Sequence, residues 1–184
     1  MNRAGPSPRL VVLGWIAVIL LFTLAWLLFY RGMGKVARVN TPVSSGAATV
    51  GSPLPDAPLV NIDGKPTSLR AYAGHPLWVN FFATWCVPCK AELPEIERRY
   101  MADKSGGLIV LGVDQQESSF AVAAFVKSFG VTYPIAIDQG AAANLFAVHT
   151  IPLSMFVDAS GTVRSIRMGQ MQPETMDAAL QTIL

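Results

Sequence analysis

Apolar residues along this chain form one long run near its start and several short runs further on. Residues 10–30 contain no charged residue, whereas the apolar runs after residue 56 are only five to seven residues long. Between the short runs, apolar positions recur at helical spacing. The pattern therefore predicts one long apolar helix, followed by a globular domain in which strands and helices alternate.

Five short segments, four of them apolar runs, predict strands. Leu77–Ala83 and Leu108–Val113 are apolar on both faces, which is typical of strands buried in the centre of a sheet. A hairpin turn is predicted at 61–65, with Asp63-Gly64 at its tip. The other three predicted strands are Tyr133–Ile137, Leu153–Val157 and Thr162–Met168, the last two joined by a second hairpin turn.

Helices are predicted between these strands from their caps and apolar spacing. Their predicted bounds are 86–102, 118 or 119 to 129, 141–148, and a last helix that starts at Pro173. Strands that alternate with helices imply an α/β fold whose sheet has a parallel core with right-handed crossovers. The closing hairpin adds an antiparallel edge, and helices should cover both faces.

The long apolar run has the length of a membrane span. As a helix its 21 residues would reach roughly 30 Å, about the thickness of a bilayer's hydrocarbon core. A cleaved signal peptide is the alternative, but its apolar region covers only about 7–15 residues. We therefore expect a short basic N-terminus (1–9), an uncleaved transmembrane helix (10–30), a flexible tether (31–55) and a globular domain (56–184).

Charge is distributed unevenly between these parts. From residue 50 onward there are 9 basic and 12 acidic residues with no basic face, so nucleic acid is not expected as a partner. The other five basic residues flank residues 10–30 on both sides, so the positive-inside rule does not orient the helix. We expect the domain on the extracytoplasmic side, because soluble reductants already serve the cytosol.

Two cysteines indicate the chemistry of the domain. Cys86 and Cys89 are the only cysteines in the chain, and they lie where a predicted buried strand passes into a predicted helix. A helix N-terminus favours negative charge, so it stabilises a thiolate over a thiol. Two residues between the cysteines let their sulfurs close a small disulfide ring. The pair therefore predicts a redox site.

Two other interpretations of the pair are weaker. A structural zinc ion needs four ligands, and only His75 and His149 could complete the set. A purely structural disulfide gains little from so short a loop, because loop-closure entropy grows with loop length. We expect neither a metal nor a cofactor in the domain.

The segment around the cysteines, Asn80–Pro94 (NFFATWCVPCKAELP), closely resembles the active-site segment of membrane-anchored thioredoxin-like proteins of the TlpA, ResA and CcmG type. The resemblance extends from about Gly51 to the C-terminus and includes Val131–Pro134 and Thr150–Pro152. It implies a thioredoxin-like fold, with a central mixed sheet, helices on both faces and an N-terminal β-hairpin.

The resemblance also implies roles for individual residues. Cys86 is the expected attacking thiol, and Cys89 is the expected, more buried thiol that resolves the mixed disulfide. Glu92, one turn after Cys89, is expected to take or give the proton of that thiol, the alternative being a solvated surface carboxylate. Pro152 is the expected cis-proline, which leaves the backbone of Ile151 free to pair with an extended client segment.

Two further positions bear on the client. Trp85 precedes the attacking thiol and is assigned to client binding, as a packing residue or as a lid over the thiols. Members dedicated to cytochrome c maturation typically carry an acidic residue directly after the cis-proline. This chain has Leu153-Ser154 there, which leaves that specific assignment open.

The expected function is reduction of protein disulfides by dithiol–disulfide exchange, for example in cytochrome or oxidase assembly. The expected partners are disulfide-bearing client proteins, a transmembrane electron donor of the thiol-reducing type, and the membrane through residues 10–30. A Sco-like copper-binding assembly factor with Cys86, Cys89 and His149 as ligands is one alternative. A general disulfide-forming oxidase is the other, and it differs in reduction potential.

Overall fold

One mixed sheet of seven strands organises the domain in the computed structural model, which describes residues 8–33 and 48–184. The strands are β1 (Pro58–Asn61), β2 (Pro66–Ser68), β3 (Leu77–Phe82), β4 (Ile109–Gln115), β5 (Ile135–Asp138), β6 (Leu153–Val157) and β7 (Val163–Met168). The helices are α1 (Pro8–Met33), α2 (Val87–Asp103), α3 (Ser119–Ser128), α4 (Ala141–Leu145) and α5 (Pro173–Leu180). The predicted order of strands and helices in the domain is confirmed.

Helix α1 contains residues 10–30, for which the sequence predicts a membrane span. Among the residues that the structure describes, no helix is both long enough and apolar enough to cross a membrane. Residues 1–7 of the predicted basic N-terminus and residues 34–47 of the predicted tether lie outside the described residues. Helix α1 and the sheet domain belong to separate compact units.

The sheet order is β2-β1-β5-β4-β3-β6-β7, so β3 lies near its centre. Strands β3, β4 and β5 run parallel, whereas the β1–β2 and β6–β7 hairpins pair antiparallel at the two edges. All six residues of β3 are buried, as the prediction of a central strand requires. Because parallel strands end at the same edge of a sheet, the loops after β3, β4 and β5 come together there.

Alternation along β3 divides the core between the two faces of the sheet. Trp78 and Phe82 belong to one buried cluster, and Leu77, Val79 and Phe81 belong to the other. The first cluster also contains Cys86 and Cys89. The cysteine pair is therefore built on the core of the domain.

The end of the predicted tether departs from the sequence interpretation. The N–H of Gly51 donates to the C=O of Val163 at 2.8 Å, and the N–H of Val163 donates to the C=O of Ser52 at 2.9 Å. Leu54 donates to Gly161 in the same way at 2.8 Å. The physical reason is that β7 is an edge strand whose backbone groups need partners. Residues 51–54 are therefore part of the domain, which starts before residue 56.

Candidate active site

Cys86 occupies the position that caps the N-terminus of α2, shortly after the end of the central strand β3. Its φ of −77° and ψ of 108° are extended, and its N–H donates to the C=O of Ala83 at 3.1 Å. The chain thus turns sharply between β3 and α2. Pro88 lies in the first helical turn, where a missing backbone N–H costs nothing. The predicted strand-to-helix junction is confirmed.

Cys86 and Cys89 form a disulfide with an S–S distance of 2.01 Å. The N–H of Cys89 donates to Sγ of Cys86 at 3.2 Å, so a free N–H of the first helical turn points at this sulfur. When the disulfide is reduced, the same N–H and the positive end of the helix dipole would stabilise a thiolate at Cys86. The arrangement suits a pair of thiols that cycles between two redox states.

The exposure of Cys86 differs from the expectation of an accessible attacking thiol. Cys86 is 4% exposed and Cys89 is 2% exposed in this oxidised state, so both are buried. The reason is the cap, which turns Sγ of Cys86 inward to the helix and into the apolar cluster below it. The neighbours Trp85 and Val87 are instead 67% and 74% exposed. Trp85 therefore does not serve as a packing residue of the core.

Glu92 lies one turn after Cys89 on α2 and is only 2% exposed. Its Oε1 accepts a hydrogen bond from the N–H of Met171, which precedes α5, whereas Oε2 has no partner among the described residues. Burial raises the pKa of Glu92 to about 7, and the Met171 bond opposes this shift. The alternative interpretation of Glu92 as a solvated surface carboxylate is therefore wrong.

The peptide bond between Ile151 and Pro152 is cis, as predicted. Pro152 is buried, and its C=O accepts from the N–H of Gly169 at 2.8 Å. Ile151 is half-buried and packs against both apolar clusters, one of which contains the two cysteines. The residue before the cis-proline therefore contacts the cluster of the disulfide as well as the cluster on the other face of the sheet.

The two histidines do not complete a metal site. His75 and His149 are both exposed. Over residues 8–33 and 48–184 no group of three or more His, Cys, Asp and Glu side chains is placed to hold a metal ion. In the described part of the chain, neither the zinc nor the copper interpretation has a donor set.

The sequence profile of the AhpC/TSA family matches residues 50–166, which cover the whole sheet up to β7. The chain belongs to the AhpC/TSA family. Within it, the chain is 32% identical over 162 residues to the thiol-disulfide oxidoreductase ResA of Geobacillus thermodenitrificans, which covers 88% of this chain and 93% of that protein. The residues 50–166 that match the family profile include both cysteines.

Solved structures agree with this assignment. A thiol:disulfide interchange protein of the thioredoxin family from Chlorobium tepidum superposes with a TM-score of 0.63 at 30% identity, covering 73% of this chain and 97% of its own. StoA from Bacillus subtilis superposes with a TM-score of 0.58 at 26% identity, covering 70% of this chain and 98% of its own. This AhpC/TSA family member is therefore a thiol-disulfide oxidoreductase with a thioredoxin-like fold.

A carboxyl pair beside the site was missed by the sequence interpretation. Both oxygens of Glu117 accept from Thr84, one from its N–H at 2.5 Å and one from its hydroxyl at 2.6 Å. The N–H of Glu117 donates in turn to the fully buried Asp114 at 2.9 Å. An acidic residue that directly follows the apolar run Leu108–Val113 was the available signal in the sequence.

The pKa values of these two carboxyl groups are shifted in opposite directions. Burial and, to a smaller extent, the adjacent Glu117 together raise the pKa of Asp114 to about 7. Burial also acts to raise the pKa of Glu117, but the hydrogen bonds from Thr84 outweigh it and hold that pKa below its ordinary value. Glu117 is therefore charged at neutral pH, and its carboxylate holds Thr84 in the loop that leads into Cys86.

Proposed function

We propose that this thiol-disulfide oxidoreductase reduces disulfides of client proteins outside the cytoplasm, through Cys86 and Cys89, while anchored in the membrane. The observation that carries the proposal is the disulfide at the N-terminus of α2, where the Cys89 N–H is directed at Sγ of Cys86. Within the described part of the chain, only one of the two sulfurs has such a donor. Cys86 is therefore assigned as the attacking thiol and Cys89 as the resolving thiol.

The exchange proceeds in two displacement steps. The Cys86 thiolate attacks one sulfur of the client disulfide, which breaks the client S–S bond and releases one client thiolate. The Cys89 thiolate then attacks Sγ of Cys86, which closes the disulfide seen here and releases the second client thiolate. Two electrons pass from the domain to the client. A thiol-based donor restores the dithiol by the reverse sequence.

Glu92 is assigned as the group that takes the proton of Cys89 before the second displacement. The two residues lie one helical turn apart on the same face of α2, and both are buried in one region of the core. A pKa of about 7, raised by burial, suits a base that works near neutral pH. Below that pH the carboxyl group is protonated, and the second displacement slows.

The client is assigned to the surface formed by Trp85, Val87 and the residues around the cis-proline. Trp85 and Val87 flank Cys86 and are strongly exposed, so they offer apolar contact on both sides of the attacking sulfur. The N–H and C=O of Ile151 have no backbone partner among the described residues, so they can pair with an extended segment. Cys86 is only 4% exposed in the disulfide. The thiol-based donor therefore has to open this surface when it docks, before its thiolate can attack Sγ of Cys86.

The anchor and the location are supported by the sequence. Residues 10–30 carry no charge and lie within helix α1. The part of the predicted tether (31–55) that precedes Gly51 would keep the domain near a membrane-embedded electron donor at high effective concentration. The oxidising side of a membrane is where protein disulfides persist and where a dedicated reductant has substrates. Clients in cytochrome or oxidase assembly fit this setting.

The test uses three forms of the full chain in a disulfide-reduction assay with insulin and dithiothreitol. We expect no turnover with Cys86→Ser. We expect Cys89→Ser to lose turnover as well, but to accumulate a mixed disulfide that is visible on a non-reducing gel. Wild-type turnover by Cys86→Ser would overturn the proposal. Measurement of the reduction potential separates a reductant, near about −270 mV, from an oxidant, near about −120 mV.

A further inference from the structure

Arg99 is a buried arginine whose guanidinium joins α2 to α5. Its side chain is 3% exposed. Nε donates to Oδ1 of Asp177 at 2.8 Å, and one terminal nitrogen donates to the C=O of Pro173 at 2.6 Å. The other terminal nitrogen donates to the side chain of Glu95 and to its C=O at 3.3 Å. A buried charge with this many partners fixes the groups that surround it.

Glu92 and Arg99 contact the same segment of the chain. They are seven residues apart on α2, so they share a face of the helix at a spacing of about 10 Å. Glu92 accepts from the N–H of Met171, and Arg99 donates to Pro173, only two residues further along. Arg99 therefore holds the segment that supplies the hydrogen bond to Glu92.

We propose that Arg99 is a positioning residue that holds the Met171 N–H against Glu92 and thereby governs proton transfer between Glu92 and Cys89. The inference rests on the proposed role of Glu92 in the exchange reaction. Arg99 itself does not touch the reacting sulfurs. It acts through the backbone of residues 171–173, which it ties to the second half of α2.

The hydrogen bond from the Met171 N–H determines how well the charged form of Glu92 is stabilised. Oε2 has no partner in the described part of the chain, so the Met171 N–H is the only donor to the carboxylate there. On its own helix, Cys89 lies one turn before Glu92, and Glu95 lies one turn after it, where it is bound by Arg98 and Arg99. Across the core, the buried hydroxyl of Tyr133 interacts electrostatically with Glu92. On the α5 side, Asp177 is bound by Arg99 and Glu174 is exposed.

A displaced Met171 would leave the Glu92 carboxylate without that donor. The charged form loses stabilisation, whereas the protonated form loses little, so the proton binds more tightly. The second displacement, which needs the deprotonated carboxylate, then requires a higher pH. The expected signature is an alkaline shift of the acid limb of the second step, with the first step unchanged.

The experiment follows the reduced full chain, kept in detergent, as it reacts with 5,5′-dithiobis(2-nitrobenzoate). The first thionitrobenzoate is released when Cys86 attacks the reagent, and the second is released when Cys89 attacks the mixed disulfide. We expect Arg99→Met to move the midpoint of the second phase upward by about half a pH unit or more, roughly a threefold change in proton affinity. The first phase should keep its pH profile.

Matched variants separate this effect from a general loosening of the fold. Arg98→Met removes the neighbouring arginine, which also pairs with Glu95 but has no hydrogen bond to α5 among the described residues, and should leave the midpoint in place. Arg99→Lys keeps the charge, so the midpoint of its second phase should lie between those of the wild type and Arg99→Met. If Arg99→Met does not fold, Arg99→Gln is measured instead, and an unmoved midpoint in it counts against the proposal.

The role of Glu92 is tested separately by Glu92→Gln. If this variant loses the acid limb of the second phase and Arg99→Met leaves the wild-type midpoint, the inference on Arg99 fails while the proposed function stands. If Glu92→Gln keeps the acid limb, the role of Glu92 and the inference fail together. If Glu92→Gln removes the limb and Arg99→Met shifts it only when Glu92 is present, the inference is supported.

Discussion

Glu117 accepts hydrogen bonds from both the backbone N–H and the hydroxyl of Thr84, at 2.5 Å and 2.6 Å. Thr84 is two residues before Cys86, and Glu117 follows the neighbouring parallel strand β4. The contact thus ties the loop that leads into the cysteine pair to the loop after the next strand. A carboxylate with two donors from one residue fixes the direction of that residue as well as its position.

Thr84→Val tests this contact, because it removes the hydroxyl donor and keeps the backbone N–H and the side-chain shape. Hydrogen bonds to a charged acceptor contribute about 1.5–3 kcal/mol, and partial exposure of Glu117 places the expected loss at about 1–2 kcal/mol. Urea unfolding of the oxidised chain measures it. Thr84→Ser should recover most of the loss, and equal stability of Thr84→Val and Thr84→Ser would contradict the assignment.

The sequence was sufficient for the elements of the domain and for the position of the cysteine pair. Strand β3 is apolar on both faces, Ser118 caps α3 by accepting a hydrogen bond from the Ala121 N–H, and Asp63-Gly64 turns the first hairpin, all as local patterns predict. Each of these features depends on residues close together in the chain. Interactions between neighbouring residues therefore determine these features, and such interactions can be inferred from the sequence alone.

The surroundings of the site depend instead on contacts between distant segments. Glu92 is buried because the segment at Met171, 79 residues later, covers it. Glu117 reaches Thr84 across 33 residues because β3 and β4 pair in register with Phe82 opposite Asp114. Helix spacing alone leaves Glu92 open to interpretation as either a buried or a solvated carboxylate. Such contacts follow from tertiary packing, which a single sequence does not specify by pattern.

The buried carboxyl of Glu92 should make the stability of the oxidised chain depend on pH. Burial raises its pKa from 4.5 to about 7, so the folded state binds a proton that the unfolded state has released. This proton binding stabilises the folded state in full below about pH 4.5, and the stabilisation is lost as the pH rises through about 7. The free energy of unfolding should fall by at most about 3 kcal/mol over this range. Urea unfolding at pH 5 and pH 8 measures the difference.

Glu92→Gln should remove this part of the pH dependence, since an amide does not titrate. Asp114→Asn should remove a second part of the same sign, because burial raises the pKa of Asp114 from 3.8 to about 7. Glu174→Gln, an exposed carboxyl in the first turn of α5, is the control and should keep the wild-type slope. A Glu92→Gln variant with the wild-type slope between pH 5 and pH 8 would falsify the explanation by burial.

Trp85→Ala should separate client binding from folding. Trp85 is 67% exposed, so its truncation should change the free energy of unfolding by no more than about 0.5 kcal/mol. Its ring offers apolar contact beside Cys86, and loss of such a contact typically costs about 1–2 kcal/mol of binding, or roughly tenfold in kcat/KM for a protein client. Reaction with a small disulfide reagent should change little. Equal losses with the protein client and the small reagent would show that Trp85 acts on the chemistry of Cys86 instead.

Ser154 gives the sharpest prediction for the core, because two buried donors share its hydroxyl oxygen. Nε1 of Trp78 donates to it at 2.9 Å and Nδ2 of Asn80 at 3.0 Å, and both side chains are almost completely buried on β3. Ser154→Ala leaves both donors unpaired, at a cost of about 1–3 kcal/mol each, so we expect a loss of about 2–6 kcal/mol in urea unfolding.

Ser165 on the adjacent strand β7 is the matched control. It is also buried, but its Oγ has no hydrogen-bond partner among the described residues. Ser165→Ala removes a polar group that gains nothing from the fold, so we expect a change within about 0.5 kcal/mol or a slight stabilisation. Equal losses in the two alanine variants would mean that burial of a serine, and not the paired donors of Trp78 and Asn80, decides the cost. A loss of stability confined to Ser154→Ala would establish that this hydroxyl links β6 to β3, the central strand that leads into the cysteine pair.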